Sequence, residues 1–555
     1  MDDVHFNLLD EPWILALGKD GKMKKPLTLR ELYADAHECA DLAGELPTQN
    51  AAVLRLLLAI LYAVFLRVDE TGAEEPLEYS QEALDRWKRL WNRGCFPADV
   101  INGYLDKYHE RFDMFHPERP FLQVKPPDNP VTREGITIKP TGIKIGKFVG
   151  DVSDGDRVNL FAGRSTKEGI SFAEAARWLI YLNSYDVAPA GNPGKNPRSI
   201  KGFARPWTAQ IGLTWLAGKS LFETLMLNFV LLDHNDNCWP ITQAFWEADS
   251  WSRSADDLVD IERHKPESPL EILGAQYRHV ALRRDDTVIT GYDLWSGMTF
   301  GGIGKVAENV MAERMTPWRK DKDGNYTPRT HNPAKLMWRD LAAFVPSGNK
   351  DILPGVVRWQ KKLKGEDVCI PPMRICIAGA EYGSMNASIN DVFADSLSLN
   401  AALLVELDEV DEADVTWSRM VIKEVEKTEE CAKLIGILAS DLAIASGGSG
   451  DRKDKNIKGK RDLALRDAFY ALDNPFRHWL ASIDPEKGDE VYEISKLWRN
   501  EVERILSRIG KELVANAGQS AFIGKRIKMN NVERTKNAPE AYRWFKYSLM
   551  KSLEQ

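Results

Sequence analysis

The longest unbroken apolar stretch, Leu56–Leu66 (LLLAILYAVFL), lies between Arg55 and Arg67. A helix that is apolar all round is buried all round. The stretch is shorter than the roughly 20 residues a bilayer span needs, so it predicts the central helix of a core. Three further helices are announced by Ser/Thr-x-x-Glu at Thr28…Glu31, Ser171…Glu174 and Ser220…Glu223. In that pattern the hydroxyl takes an orphan backbone N–H and the carboxylate reaches back to the cap's own N–H. The predicted spans are Leu29–Ala36, Phe172–Tyr185 and Leu221–Leu231. FNLLDEPWILAL (Phe6–Leu17) followed by the polar GKDGK predicts a strand, a tight turn and a second short strand. Two long segments rich in Pro, Gly, Asp and Lys, Val124–Gly169 and Ala188–Pro206, carry neither period. Such segments are functional loops or disordered.

Near residue 390 the pattern changes to the helical period. The first predicted helix, Asp414–Ser446, places Val421, Val425, Leu434, Leu438 and Leu442 on one side. GGSGDRKDKNIKGK (Gly447–Lys460) reads as a flexible basic loop. The second helix, Arg461–Ile483, is interrupted at Pro475 and carries Phe476, Trp479, Leu480 and Ile483 at i, i+3, i+4, i+7. Trp479 and, in the third helix (Val491–Ile509), Trp498 read as core residues rather than as platforms for stacking bases. The fourth, Pro539–Leu553, shows Tyr542, Phe545 and Leu549. Four amphipathic helices in sequence predict a bundle. The fold class is therefore α+β, a large mixed N-terminal domain followed by an all-α four-helix bundle. The expected boundaries are 1–390, an acidic connector 391–413, and 414–555.

Charge divides along the same line. The chain of 555 residues carries a net −8, with a pI near 5.8. Residues 451–555 hold 22 Lys and Arg against 16 Asp and Glu, a surplus of six, which leaves −14 for the rest. A protein that coats a duplex with its own cations is basic overall, so stand-alone coating is excluded. The 43% hydrophobic and 28% charged content excludes a disordered tail protein. Six cysteines without a C-x-x-C pair exclude a zinc ribbon and a disulfide framework, and read as thiols of a reducing cytoplasm. The N-terminus shows no basic segment before an apolar run, so no signal peptide is expected.

Catalytic motifs fail on spacing. AGKS (Ala217–Ser220) ends like a phosphate-binding loop, but Leu213 stands where the first glycine belongs. GGIGK (Gly301–Lys305) lacks the dinucleotide spacing, and SGGSGD (Ser446–Asp451) puts Asp451 where a nucleophile elbow needs glycine. No H-E-x-x-H occurs, and the nine His are dispersed. No cofactor or metal site is expected.

Five segments in order then resemble one family. They are FNLLDEPWI, PLTLRELY (Pro26–Tyr33), FHPERPFLQ (Phe115–Gln123), SFAEAARWLIYLNSYDVAPAG (Ser171–Gly191) and SLFETLMLNFVLL (Ser220–Leu232). They resemble the CasA family, the large subunit of the type I-E CRISPR Cascade surveillance complex. The resemblance covers most of the chain. It implies a subunit that works with the other Cascade subunits (backbone, small and guide-end) and a CRISPR RNA. The guide reads the double-stranded target by pairing, while the large subunit reads the flanking PAM from the minor groove. A wedge then splits the first base pairs, and the completed R-loop recruits a helicase-nuclease.

The family's functional loops map onto this chain by local similarity. The wedge resembles EYGSMNASI (Glu381–Ile389), with Met385, Asn386 and Ala387 at its tip. Gly383 gives the turn flexibility, and Met385 can cover an exposed base, as apolar wedges do. The PAM-reading glycine loop resembles APAGNPG (Ala188–Gly194), through Ala190, Gly191, Asn192 and Gly194. Glycine lets backbone N–H groups approach the acceptors of the minor-groove floor. Asn192 and Pro193 depart from the family's more Gly-rich loop. A loop contacting the guide end and neighbouring subunits maps onto Arg157, Val158 and Asn159. Its surroundings, Val124–Gly169, are expected to be disordered in the free protein and ordered on assembly. Lys305 is the nearest match to a minor-groove lysine. The zinc ribbon of some members has no counterpart. Arg452, Lys453, Lys455, Lys458 and Lys460 would contact the phosphates of the displaced strand.

The sequence reading is thus a non-catalytic, cytoplasmic recognition subunit with no membrane contact. A metal-dependent nuclease built from scattered carboxylates and a plain assembly scaffold are its alternatives.

Overall fold

The computed structural model describes residues 4–124, 131–133, 136–138, 141–149, 169–187, 205–248, 266–296, 311–346, 352–366, 368–386, 388–404, 416–485, 488, 490–529 and 532–554. The chain divides into two compact units, Met1–Pro333 with Lys350–Ser396, and Ala334–Asn349 with Leu397–Gln555. The first mixes helix and strand and the second is mainly helical, which is the α+β class expected.

In the first unit most of Phe6–Leu17 is not a strand. The backbone turns at Asn7, whose carbonyl accepts from Asp10 N and Glu11 N, and Pro12 has no N–H to give. Only the end, β1 (Ala16–Gly18), is a strand. The turn over GKDGK does form, with Gly18 N donating to Lys22 O and Gly21 at φ +75°. In α1 (Leu29–Asp35) both capping-box bonds are made, Glu31 N to Thr28 Oγ1 at 3.1 Å and Thr28 N to Glu31 Oε2 at 2.9 Å. β2 (Cys39–Leu42) pairs antiparallel with β1.

The apolar run lies in α2 (Pro47–Phe65), which starts well before Leu56 because Pro47 presets the first turn. At 19 residues α2 is long and apolar enough to cross a membrane, but it is buried inside the protein. Its Arg55 is paired at 2.8 Å with a buried Glu313, and Tyr62 Oη donates to Val230 O. Around it stand α3 (Ser80–Arg93) and α4 (Ala98–Lys107). The Trp87 indole of α3 donates to Met226 O at 3.0 Å.

Part of the segment expected to lack structure is ordered. β3 (Val131–Arg133) pairs with β4 (Ile136–Ile138), and β5 (Thr141–Lys144) leads into α5 (Ile145–Phe148). α6 (Phe172–Tyr185) has the predicted bounds, with Ser171 Oγ accepting from Glu174 N. After β6 (Leu213–Ala217), α7 (Leu221–Asn228) stops short of the predicted Leu231. The Asn228 side chain turns back to bond the backbone of Leu216, and Val230 N donates to Tyr62 Oη, which pulls the chain out of the helix. There follow α8 (Pro269–Leu273), β7 (His279–Arg284), β8 (Ile289–Ser296), β9 (Trp318–Lys320), β10 (Tyr326–Pro328) and α9 (Gly355–Gly365). The unit ends on β11 (Met373–Tyr382) and on β12 (Ile389–Leu399), whose residues from Leu397 on belong to the second unit. One three-stranded sheet has the order β12-β11-β6, another β5-β8-β7.

The second unit is built on α10 (Trp417–Ala445), α11 (Lys455–Ser482), α12 (Val491–Ala515) and α14 (Ala538–Glu554), with the short α13 (Gly518–Ile523) between the last two. Pro475 does not interrupt α11: Leu472, Phe476, Trp479 and Leu480 are buried on both sides of it and hold the helix together. Trp479 stacks on Trp498 at 5.3 Å between centroids, and Trp338 stacks on Phe476 at 4.7 Å. Both tryptophans read as core are thus core. A hairpin of β13 (Lys525–Met529) and β14 (Val532–Lys536) was not anticipated. Of the expected connector, 391–399 belongs to β12, Ala401–Leu404 forms a 3-10 turn, and 405–413 lies outside the described residues.

Candidate nucleic-acid interface

EYGSMNASI is the turn of the β11–β12 hairpin. Gly383 N donates to Ser388 O at 2.9 Å, closing the two strands, and Asn386 N donates to Gly383 O at 3.0 Å. Ser384–Asn386 is a 3-10 turn, and Asn386 sits at φ +57°, a left-handed conformation that Asn tolerates better than most side chains. Gly383 has a different role from the one its sequence suggests. A Cβ there would lie 2.4 Å from Ser388 Oγ and 2.8 Å from Asn390 Oδ1, so the glycine permits close approach rather than flexibility. Glu381 and Asp391 are exposed on the stem. An acidic stem repels phosphate, so a duplex contact by this hairpin falls to its uncharged tip. Of the three wedge residues, Met385 and Asn386 are in the turn, and Ala387 lies outside the described residues.

The glycine loop (Ala190, Gly191, Asn192, Gly194), the guide-contact residues (Arg157, Val158, Asn159) and Lys305 all lie outside the described residues. The chain on both sides of 188–204 is described. Before it, Asp186 is in a buried ion pair with Arg278 at 2.6 Å. After it, the Arg205 guanidinium lies over the Tyr382 ring, 4.6 Å from its centroid.

The basic loop is only half a loop. Asp454 caps α11, its Oδ1 accepting from Asn456 N and Ile457 N, so Lys455, Lys458 and Lys460 are helical. All five cations are exposed, but they do not share a face. At about 100° per residue, Lys455 and Lys458 are about 60° apart, while Lys460 lies about 140° from the first and about 160° from the second. Lys455 and Lys458 also occupy the positive end of the helix dipole, which concentrates charge there. Arg452 is paired with Asp441 at 2.7 Å, and the same carboxylate takes Lys536 of β14.

The β13–β14 hairpin thereby joins this surface. Lys525 Nζ donates to Gly448 O at 2.7 Å, and Ile527 packs with Ile444 and Ile457. Arg526 and Arg534 of the hairpin are exposed. The charge surplus of residues 451–555 was legible in the sequence, but this hairpin was not. The alternation in KRIKM and VERTK around Asn530–Asn531 was the available signal. Among the described residues no group of three His, Cys, Asp or Glu is arranged to hold a metal ion. Burial pushes the Cys376 and Cys431 thiols up to about 12, so neither is a ready nucleophile.

Comparison with known proteins defines the class first: this is the fold of the Cse1 proteins. The crystal structure of Thermobifida fusca Cse1 matches with a TM-score of 0.79 and 28% identity, over 99% of this chain and 98% of that one. A chain of a CRISPR RNA-guided surveillance complex shares the fold, with a TM-score of 0.59 and 17% identity over 98% of this chain and 99% of its own. CRISPR-associated protein CasA/Cse1 of Thermus thermophilus is 28% identical over 87% of this chain and 88% of its own length. The family model for CRISPR-associated protein Cse1 matches residues 7–509. The chain belongs to the CasA/Cse1 family, the large subunits of type I-E Cascade.

Proposed function

We propose that the chain is a non-catalytic large subunit that reads the PAM of double-stranded DNA from the minor groove and wedges the duplex open to start the R-loop. It acts in the cytoplasm with the other Cascade subunits and a CRISPR RNA. It also positions the displaced strand and helps recruit the helicase-nuclease. The observation that carries this reading is the β11–β12 turn, a tight uncharged tip with Asn386 at φ +57° on an acidic stem. Such a tip enters a duplex beside a base step without binding phosphate. Unstacking takes a few kcal/mol per step. Growth of the guide–target heteroduplex, itself about as stable as the DNA it replaces, and contacts to the backbone offset it. The cations at Lys455, Lys458, Arg526 and Arg534 supply part of those contacts.

The test is the double variant Asn386→Asp/Ala387→Asp in a reconstituted complex. Two carboxylates at the tip meet the negative potential of the groove, so R-loop formation at a correct PAM is expected to collapse while assembly with the partner subunits is retained. Undiminished R-loop formation sinks the wedge assignment. DNA cleavage by the purified chain alone with Mg²⁺ or Mn²⁺ would replace the whole reading with a nuclease.

A further inference from the structure

We propose that Phe522 is a base-stacking residue: its ring takes a base of the displaced single strand while the cations around it hold the phosphates. The proposal rests on the reading above that this surface positions the displaced strand, and it adds a contact to the bases.

Two large apolar side chains stand side by side in water here. At the end of α13, Phe522 is 49% exposed and Ile523 80%. Their exposure is built in rather than the fraying of a helix end. Ala521, just before them, is fully buried. Just after them, Gly524 N donates to Ser520 O at 2.9 Å and the backbone turns at φ +83°. A Cβ on Gly524 would lie 2.4 Å from Lys536 O, so glycine alone fits the turn. The ring is thus held out between a buried anchor and a closed turn.

The surroundings are cationic. Residues 525–536 carry five Lys and Arg against one Glu. Arg526 is exposed and stands four residues from Phe522, which is at most about 14 Å of chain. Arg534 on the paired strand is exposed as well. The hairpin is tied to the loop before α11 by Lys525 Nζ, which donates to Gly448 O at 2.7 Å. Its Ile527 packs with Ile457, and the exposed Lys455 and Lys458 flank Ile457 in α11. The acids of that loop are turned to backbone N–H groups, Asp451 to Lys453 N and Asp454 to Asn456 N.

Ring and charge together select the occupant. A protein face apolar enough to cover Phe522 and Ile523 would leave the cations beside them without partners. A nucleotide brings an apolar base face and a phosphate at once. In a duplex both faces of each base are already covered by their neighbours, whereas in a single strand they are free to stack on an aromatic ring. The displaced strand meets both conditions. The site lies beyond residue 509, where the match to the family model ends.

The test uses reconstituted complexes carrying Phe522→Ala or Phe522→Tyr, both changes of an exposed side chain. Targets that together place thymine at every displaced-strand position are bound as R-loops and treated with permanganate, which oxidises unstacked thymines. Phe522→Ala is expected to unmask at least one thymine that the parent shields, and to speed loss of the R-loop about fivefold or more. The salt slope of target binding should not change, because no phosphate contact is removed. Phe522→Tyr keeps the ring and is expected to stay within about twofold of the parent. Parental reactivity and lifetime in Phe522→Ala, or an equal loss in Phe522→Tyr, overturn the proposal. So does release of another subunit by Phe522→Ala before DNA is added, which marks a protein interface. Lys455→Gln/Lys458→Gln is run alongside. If it flattens the salt slope and Phe522→Ala changes nothing, only the stacking fails. If it leaves the slope unchanged, the strand-positioning reading fails and takes the stacking with it.

Discussion

The helical placement of the basic residues makes a prediction that a flexible loop would not. Lys455 and Lys458 share one face at the N-terminus of α11, and Lys460 faces away. If this face guides the displaced strand, Lys455→Gln/Lys458→Gln removes two phosphate contacts and Lys460→Gln removes none. Each contact to a single strand contributes about 0.7 to the slope of log affinity against log salt. The pair therefore flattens the slope by about 1.4, and over a fourfold rise in salt the affinity ratio of parent to variant falls about sevenfold. The assay is target binding by the reconstituted complex between about 50 and 200 mM salt, a range chosen because partner subunits set the absolute slope and only the difference is read. Arg452 is left in place, since Asp441 already holds it. An unchanged slope in the pair refutes the strand-guiding role. An equal drop in the pair and in Lys460→Gln refutes the facial argument, because it means the segment behaves as an unstructured cation cloud.

Three further predictions concern stability and are read from denaturant unfolding of the full chain. Asn386→Val destabilises by about 1–2 kcal/mol, since a β-branched residue resists φ +57°, whereas Asn386→Gly stays within a few tenths. Burial raises the Glu45 carboxyl, but the Arg177 guanidinium bonded to both its oxygens outweighs that and holds it below its ordinary 4.5. Its contribution is therefore present above about pH 4.5 and lost as pH falls through the depressed value, so Glu45→Gln shows a shallower acid-side decline than the parent. Two glycine-to-alanine changes in helices have opposite signs: Gly459→Ala, with open space around it, gains about 0.5–1 kcal/mol. Gly510→Ala, whose Cβ would lie 2.6 Å from Phe545 Cε1, loses about 1 kcal/mol or more as α12 and α14 are forced apart.

What the sequence disclosed follows from where the information is local. The Ser171 cap and the apolar period gave α6 its observed bounds, because both signals lie inside the helix. The start of α11 was hidden because Gly459 and a dense run of lysines imitate a linker, although Asp454 was a proper cap in plain sight. Pro475 looked like a break because periodicity does not reveal the aromatic packing of Trp338 and Trp498 on Phe476. The end of α7 was missed because it is set by Tyr62, far away in the chain. At the candidate site, family resemblance found the hairpin turn, but the part played by Gly383 and the grip of Tyr382 on Tyr185 and Arg205 are tertiary contacts with no local signature.

The ion pair at the heart of α2 has a consequence for how the protein is made. Arg55 and its partner Glu313 are separated by 258 positions in the chain. At roughly 5–20 residues per second, a ribosome needs about 13–52 s to deliver the second after the first. Throughout that interval the nascent chain carries the apolar segment of α2 and a guanidinium whose carboxylate has not yet been synthesised. Slowing translation between the two positions lengthens the exposure, and a chaperone that shields α2 shortens its effect. A lower yield of folded subunit is the outcome expected when translation is slowed between positions 55 and 313.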